Sequence, residues 1–317
     1  MSAVAPRRIR IVCISDTHND DPTPHIPAGD VLVHAGDMTD DGTQEELERA
    51  LAWIRKLPHK LKVIIPGPLP FFSTNLKYFK INLSLMHLLG NHDLGLDPSH
   101  KAYNPTMHAL FTSAAVQADG VVFLDKSRST FLHNDILSIY ANSYQPDFLK
   151  SSYAFTYAPF PSPEATAAWA SAPDKRSSSS STASSGQSEA PLELWLSHGA
   201  PKGRLDWIHI EGLMGCEAQR RKVQAARPQV CVFGHFHCSY GVEKVVWRDS
   251  GDEVDSEGDS DGFKECVVLT EENRDAPYDF TSLERGKETV FINAAWMTME
   301  KGKVEKRNKP IVIDLAY

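Results

Sequence analysis

Residues 9–18 read IRIVCISDTH, an apolar run rich in β-branched residues that ends in the polar group Asp16-Thr17-His18. Residues 230–237, VCVFGHFH, repeat this arrangement and place His235 and His237 after the apolar run. Short apolar runs of this composition predict buried strands. Because side chains that follow the strands of an open α/β sheet meet in the crevice at its carboxyl edge, we predict that these polar groups converge.

Three further polar clusters follow apolar runs in the same way: Gly36-Asp37-Met38-Thr39-Asp40, Gly90-Asn91-His92-Asp93 and His198-Gly199. The runs before them cover residues 31–35, 83–89 and 192–196. Carboxylate, amide and imidazole ligands in this number suit a transition-metal or manganese-type centre better than Ca²⁺ or Mg²⁺ alone. The sequence therefore predicts a metal centre assembled from the ends of several strands.

The rest of the chain alternates strand and helix patterns, which favours an α/β layered fold. A helix is predicted over residues 43–57, where Thr43 and Glu46 fit a capping box and Pro58 ends the helix. A second helix is predicted over 214–226, and late strands over 289–294 and 311–315. His34 lies within an apolar run, so we interpret it as a hydrogen-bonded core residue rather than a ligand.

The net charge of −8 is concentrated in one segment, because residues 249–262 contain seven acidic residues and neither Lys nor Arg. The remainder of the chain is nearly neutral and has no basic stripe, which argues against binding to long nucleic acids. The five cysteines form no CxxC pair. We interpret them as reduced thiols of an intracellular, cytoplasmic protein.

No membrane association is predicted either. The first predicted strand begins near Ile9 and leaves no room for a secretory signal. The most apolar other stretch, residues 71–89, is interrupted by Lys77 and Lys80 and is a poor candidate for crossing a bilayer.

Residues 1–317 are predicted to form a single domain that carries three insertions, at 67–89, 171–190 and 249–262. The serine-rich second insertion and the acidic third one are predicted to be disordered, because neither can bury enough apolar surface to offset its ordering entropy. In the first region, residues 60–67 and 81–90 both read as strands ending in Gly. Without residues 67–89 the chain would read KVIIPGNHD, so this segment is either an atypical insertion or, as we favour, a translated intron.

The ordered set D-x-H, G-D-x-x-D, G-N-H-D, H-G and G-H-x-H resembles the calcineurin-like metallophosphoesterase superfamily. The nearer likeness is to the small single-domain metallophosphoesterase-domain proteins, through HGAPKGRLD (198–206), CVFGHFHCSYG (231–241), FINAA (291–295) and PIVID (310–314). The resemblance implies an α/β (α+β) fold of four layers, a two-sheet β-sandwich flanked by helices.

The resemblance also implies roles for individual residues. One divalent ion would be held by Asp16, His18 and His237, and a second by Asn91, His198 and His235. Asp37 would bridge the two ions.

Two further residues would act on the substrate side of this centre. His92 would face the substrate as proton donor or phosphate contact. Asp40 stands where relatives carry an acid that orients this histidine. Asp93 is either a loop cap or a functional acid, and we do not include it in the predicted site.

Phosphoester chemistry gives independent reasons for these residue types. Two ions about 3.5–4 Å apart can clamp the attacking and leaving oxygens and lower the pKa of a bridging water. Two dications with two aspartates leave a positive charge that attracts a phosphate, whereas further carboxylates would cancel it. We therefore expect two ions of Mn²⁺, Fe²⁺/³⁺ or Zn²⁺, and a phosphomonoester, a small phosphodiester or a nucleotide as substrate.

The alternative belongs to a different class. An insertion directly before Asn91 could displace Asn91 and His92 and leave a catalytically defective, metal-poor binding or scaffold protein. Whether Asn91 lies near Asp37 and His198 discriminates between the two hypotheses.

Overall fold

Two β-sheets form the centre of the fold, and each contains four adjacent parallel strands. The computed structural model describes residues 7–67, 92–124, 128–132, 137–147, 154–173, 192–208, 212–248, 262–271, 274–300 and 303–317. The strands are β1 Arg8–Ile14, β2 Val31–His34, β3 Leu61–Ile64, β4 Val121–Phe123, β5 Arg128–Leu132, β6 Leu137–Asn142, β7 Gln145–Pro146, β8 Thr156–Tyr157, β9 Leu192–Ser197, β10 Trp207–Ile208, β11 Gly212–Leu213, β12 Val230–Phe233, β13 Gly241–Trp247, β14 Phe263–Val268, β15 Tyr278–Asp279, β16 Glu288–Asn293, β17 Met297–Glu300, β18 Lys303–Arg307 and β19 Ile311–Ala316. The α-helices are α1 Gln44–Lys56, α2 Pro105–Phe111, α3 Ala114–Ala118, α4 Pro163–Ala168 and α5 Glu217–Ala226.

The first sheet has the order β15-β19-β1-β2-β3-β4, and the second has the order β14-β13-β16-β12-β9-β6-β5. Strands β1 to β4 run parallel to one another, as do β6, β9, β12 and β16. Side chains of both sheets interleave between them in an apolar core that includes Ile11, Val33, Ile139 and Val232. The alternation of side chains along each strand therefore buries both faces of the two sheets.

The outer faces of the sheets pack against helices. Leu47, Leu51 and Ile54 of α1 lie in one cluster with the outward residues of β1 and β2. Val223 of α5 lies in another with Trp195 and other outward residues of the second sheet. The expected four-layer arrangement, a sandwich of two sheets flanked by helices, is confirmed.

Local sequence signals account for the position of α1. Thr43 is its N-cap, and both hydrogen bonds of the capping box with Glu46 are present. The helix ends at Lys56, directly before the C-cap Leu57 and Pro58. The second predicted helix is shorter than we expected, because its first turn begins at Glu217 after the N-cap Cys216.

Strand β3 settles which residues fill the place between β2 and β4. Leu61–Ile64 pairs with both neighbours in parallel register. The competing candidate at residues 81–90 lies outside the described residues, as do most of 171–190 and 249–262. None of the five cysteines, all of which lie in the described residues, forms a disulfide. Among the described residues, no helix has the length and apolarity needed to cross a membrane.

Candidate metal centre

The centre lies where the carboxyl ends of strands from both sheets meet. Main-chain hydrogen bonds join the residue after β1 to the residues after β16: Ser15 N–H donates to Ala294 O at 2.9 Å, and Trp296 N–H donates to Ser15 O at 2.7 Å. The loops after β1, β2, β9 and β12 thus converge at one edge, as predicted for strand-end residues.

The first group of potential ligands comprises Asp16, His18 and His237, which offer donor atoms within 4.8 Å of one another. The Nε2 atoms of the two histidines are 3.3 Å apart. His237 Nε2 is 3.5 Å from Asp16 Oδ1. His18 and His237 are 219 positions apart along the chain, and the packing of the two sheets brings them together.

The second group comprises Asp37, His198 and His235. His198 Nε2 is 3.2 Å from Asp37 Oδ2 and 3.2 Å from His235 Nδ1. All three residues are buried. Asp37 also reaches the first group, because its Oδ2 is 4.0 Å from His18 Nε2. Its position between the two groups is the one expected of a bridging carboxylate.

His92 completes a third group with His18 and Asp37. Its ring centroid is 4.4 Å from that of His18, in an edge-on arrangement. Within the described part of the chain, neither ring nitrogen of His92 and neither carboxylate oxygen of Asp37 has a hydrogen bond of good geometry, although all four atoms are buried. Since buried polar atoms without partners are costly and uncommon, these atoms fit a site that receives a cation and an anionic ligand.

Contacts behind the imidazoles fix their orientation. His198 Nδ1 lies 2.8 Å from Ala35 O, and His237 Nδ1 lies 2.7 Å from Met297 O. A ring N–H that donates to a carbonyl leaves the opposite nitrogen as a lone pair for a metal. Both carboxylate oxygens of Asp16 accept from His235 N–H at 3.0 Å. These contacts hold the donor atoms toward the common centre.

Burial and mutual charge set the protonation of the group. Burial would raise the pKa of Asp16, but His237, His198 and His18 lower it to about 2. Burial lowers the pKa of His237 to about 4, and burial followed by the charge of His198 lowers that of His235 well below its usual value. These two imidazoles are therefore neutral at neutral pH, as metal ligands must be.

Asp37 and His198 behave as a coupled pair. Burial raises the pKa of the Asp37 carboxyl. Burial would lower the pKa of the His198 imidazole, but the Asp37 carboxylate raises it. A dication beside them would favour the ionised carboxylate and the neutral imidazole, so we expect metal uptake to release protons.

The loops that carry these residues adopt uncommon backbone conformations. Asp16, His18, Asp37 and His235 all have positive φ angles, between 43° and 67°. Such left-handed conformations cost energy outside glycine and concentrate at functional sites. Gly67 also lies very close to Asp37, since a Cβ on Gly67 would lie 2.0 Å from Asp37 Oδ1.

The Asp40 carboxylate lies beside His18, and its role toward His92 stays a prediction. We expected the Asp40 carboxylate to orient His92, and its Oδ1 lies 3.3 Å from Nδ1 of His18. The other carboxylate oxygen is held by the Asn19 side chain at 2.7 Å. This second hydrogen bond directs the carboxylate toward the loop after β1 and so determines its partner.

Asp93, which sequence reasoning left aside, connects the loops of the centre. Its carboxylate accepts from Met38 N–H, Thr39 N–H, the Thr39 hydroxyl and Gly67 N–H at 2.8–3.2 Å. The G-N-H-D motif includes this residue, but nothing in the sequence shows what it binds. Asn91 lies outside the described residues, so its role as a ligand stays a prediction.

His34 behaves as predicted for a core histidine. Its Nε2 lies 3.1 Å from the Thr17 hydroxyl, and its Nδ1 accepts from Gly36 N–H at 3.2 Å. The two contacts satisfy both ring nitrogens inside the protein.

A family model for the calcineurin-like phosphoesterase domain matches residues 9–239. The chain belongs to this family. The match includes every predicted ligand from Asp16 to His237, and the family is one of metal-dependent phosphoester hydrolases. The residues of the three groups above could hold such metal ions.

The chain spans only part of the length of the curated relatives that it matches. The human metallophosphoesterase domain-containing protein 1 is 27% identical over 252 residues, which are 75% of this chain and 63% of that protein. A Caenorhabditis elegans UPF0046 protein, C25E10.12, is 27% identical over 246 residues, 74% of this chain and 71% of its own length. A probable rhamnogalacturonate lyase C of Emericella nidulans is 28% identical over 316 residues. This alignment covers 97% of the chain but only 24% of that relative.

Proposed function

We propose that this protein hydrolyses a phosphomonoester or a small phosphodiester, including nucleotides, with two divalent metal ions. The observation that carries the proposal is the buried Asp37 carboxylate, which lies within reach of His18 on one side and His198 on the other and has no hydrogen bond of good geometry to the described residues. A carboxylate in this position is suited to bridge two cations. The hard and borderline ligands favour Mn²⁺, Fe²⁺/³⁺ or Zn²⁺.

The metal ions and the side chains that would hold them have different chemical roles. Bound divalent ions supply Lewis acidity and lower the pKa of a coordinated water. Asp16, His18 and His237 would hold one ion, and His198, His235 and the predicted ligand Asn91 the other. With only two carboxylates among these ligands, the occupied centre keeps a positive charge that attracts an anionic ester.

His92 faces the same centre, and its ring nitrogens have no side-chain hydrogen-bond partner among the described residues. Burial, followed by the charges of His18 and His198, lowers its pKa well below the usual value. The negative charge of a bound phosphoester acts in the opposite direction and favours the protonated imidazole. His92 can therefore contact the phosphate or donate a proton to the departing alkoxide.

The scaffold alternative required that the insertion displace Asn91 and His92. Asn91, whose distance from Asp37 and His198 discriminates between the hypotheses, lies outside the described residues. The described residues place His92 within the cluster, beside His18 and Asp37. This position supports the enzyme hypothesis over the scaffold hypothesis.

Two variants test the proposal with bis-p-nitrophenyl phosphate as substrate. We expect His92→Gln to retain bound metal and to lose about 10²–10⁴-fold in kcat, the usual contribution of a positioned acid. We expect Asp37→Ala to lose both ions in elemental analysis. The exposed His25→Gln is the matched control. Wild-type turnover by His92→Gln contradicts its role, and full metal occupancy in Asp37→Ala contradicts the bridge.

A further inference from the structure

Asn19 follows the predicted ligand His18 directly and joins two acidic residues with one side chain. Its Nδ2 donates to Asp40 Oδ2 at 2.7 Å and to Glu46 Oε1 at 2.6 Å. The backbone of Asn19 has a φ of 66°, a left-handed conformation in which Asn is favoured over most other residues. Both the conformation and the amide group thus suit asparagine at this position.

Glu46 provides the fixed end of this link. Its Oε2 accepts from Asp41 N–H at 3.1 Å and Thr43 N–H at 3.0 Å. The residue is buried in the first turn of α1 as part of the capping box. The start of helix α1 therefore fixes the position of the Glu46 carboxylate that Asn19 binds.

Asp40 provides the end that meets the metal centre. Its Oδ2 is bound by Asn19, and its Oδ1 is 3.3 Å from Nδ1 of His18. His18 presents its opposite nitrogen, Nε2, to His237 at 3.3 Å. Contacts of 2.6–3.3 Å thus run from helix α1 through Glu46, Asn19 and Asp40 to Nδ1 of His18, the nitrogen opposite the predicted ligand atom Nε2.

The chemistry of the amide explains why asparagine is needed. The carboxylates of Asp40 and Glu46 repel each other, and the –NH₂ group offers two donors that satisfy both. A carboxylate at position 19 would add a third negative charge, and an apolar side chain would leave the pair unbridged. His198 and His237 have main-chain carbonyls behind their rings, whereas His18 depends on a side-chain acid that something else must hold.

We propose that Asn19 is a positioning residue of the metal centre, which holds Asp40 behind His18 so that Nε2 of His18 points at the ion. This inference rests on the proposed metal site. It assigns to Asn19 an effect on metal affinity rather than on the chemical step, and no contact with substrate.

Metal binding measures this role without any hydrolysis assay. Asn19→Gly removes the amide and tolerates the left-handed backbone. Outer contacts of metal-bound histidines contribute about 10–100-fold in affinity, and Asp40 is half-exposed, so we expect about 10-fold weaker Co²⁺ binding by chelator competition. The visible spectrum of the bound Co²⁺ should change with it, because the His18 ligand is less well oriented.

Two comparisons separate positioning from general destabilisation. Asn104 caps helix α2 with two hydrogen bonds, to Thr106 N–H and Met107 N–H, so Asn104→Ala should lower the Tm while leaving Co²⁺ affinity and spectrum unchanged. In an Asp40→Ala background, Asn19→Gly should have no further effect on affinity, since its route to His18 is already broken.

The results can overturn the proposal in three ways. Wild-type Co²⁺ affinity and spectrum in Asn19→Gly would refute it, while leaving the metal site intact. A 10-fold loss that persists in the Asp40→Ala background would refute the route through Asp40. A wild-type chain that binds no Co²⁺ would remove the metal site itself and this role with it.

Discussion

Replacing Asp93 with alanine tests whether one buried carboxylate holds the loops of the metal centre together. The side chain is fully buried. It accepts four hydrogen bonds from Met38, Thr39 and Gly67, and its own N–H donates to the Thr39 hydroxyl at 3.0 Å. The substitution removes the acceptor and leaves the donors in place.

The number and kind of donors give the expected cost. Three of the four donors are main-chain N–H groups, which cannot turn away, while the Thr39 hydroxyl can rotate. A buried donor left without a partner costs about 1–3 kcal/mol. Because water can enter the space vacated by the carboxylate, we take the lower half of this range. For the three main-chain donors we therefore expect Asp93→Ala to reduce the free energy of unfolding by about 3–6 kcal/mol.

Urea denaturation of the metal-free protein measures this loss directly. Asp119→Ala is the matched control, because Asp119 forms an exposed ion pair with Arg55 and such pairs contribute about 0–1 kcal/mol. Asp93→Asn should fall between the two, since its single oxygen can serve only one pair of donors. A loss for Asp93→Ala below about 1 kcal/mol, no larger than the control, would refute the argument from unsatisfied donors.

Three further predictions concern the pH response, the close approach of the loops and the first insertion. Burial lowers the pKa of His34 to about 3, so its contribution to stability is complete above pH 6.5 and is lost toward pH 3. In urea titrations, the free energy of unfolding of the metal-free wild type should fall with decreasing pH by up to about 1.4 kcal/mol per pH unit more than that of His34→Gln. Equal pH dependence in the two proteins would contradict this. Gly67→Ala should abolish metal binding, because the added methyl group would lie 2.0 Å from Asp37 Oδ1. Unchanged metal occupancy in elemental analysis would show that the loop shifts to accommodate the methyl group. A chain without residues 68–90 should keep its Tm and metal content, because Gly67 N and Asp93 Oδ2 already lie 3.0 Å apart, and a shortened chain that fails to fold would count against it. If only the shortened chain binds two ions, the full-length sequence is an inactive form.

Local sequence patterns predicted the elements that carry the centre. The runs before Asp16 and His235 are strands β1 and β12, and the capping box of Thr43 and Glu46 opens α1. These predictions succeeded because side-chain periodicity and capping act over a few residues. The boundary of α5 was missed by three residues because Cys216, rather than a residue further upstream, caps the helix.

The sequence by itself determined that acids and imidazoles follow the strands, and with that the family and the general chemistry. Only the tertiary structure decided which of them share a group, that the Asp40 carboxylate contacts His18, and that Asp93 joins the loops around Asp37. The physical reason is the range of the interactions. Strand formation depends on neighbours along the chain, whereas a hydrogen bond between loops depends on how two sheets pack, and residues 219 positions apart carry no local sign of their contact.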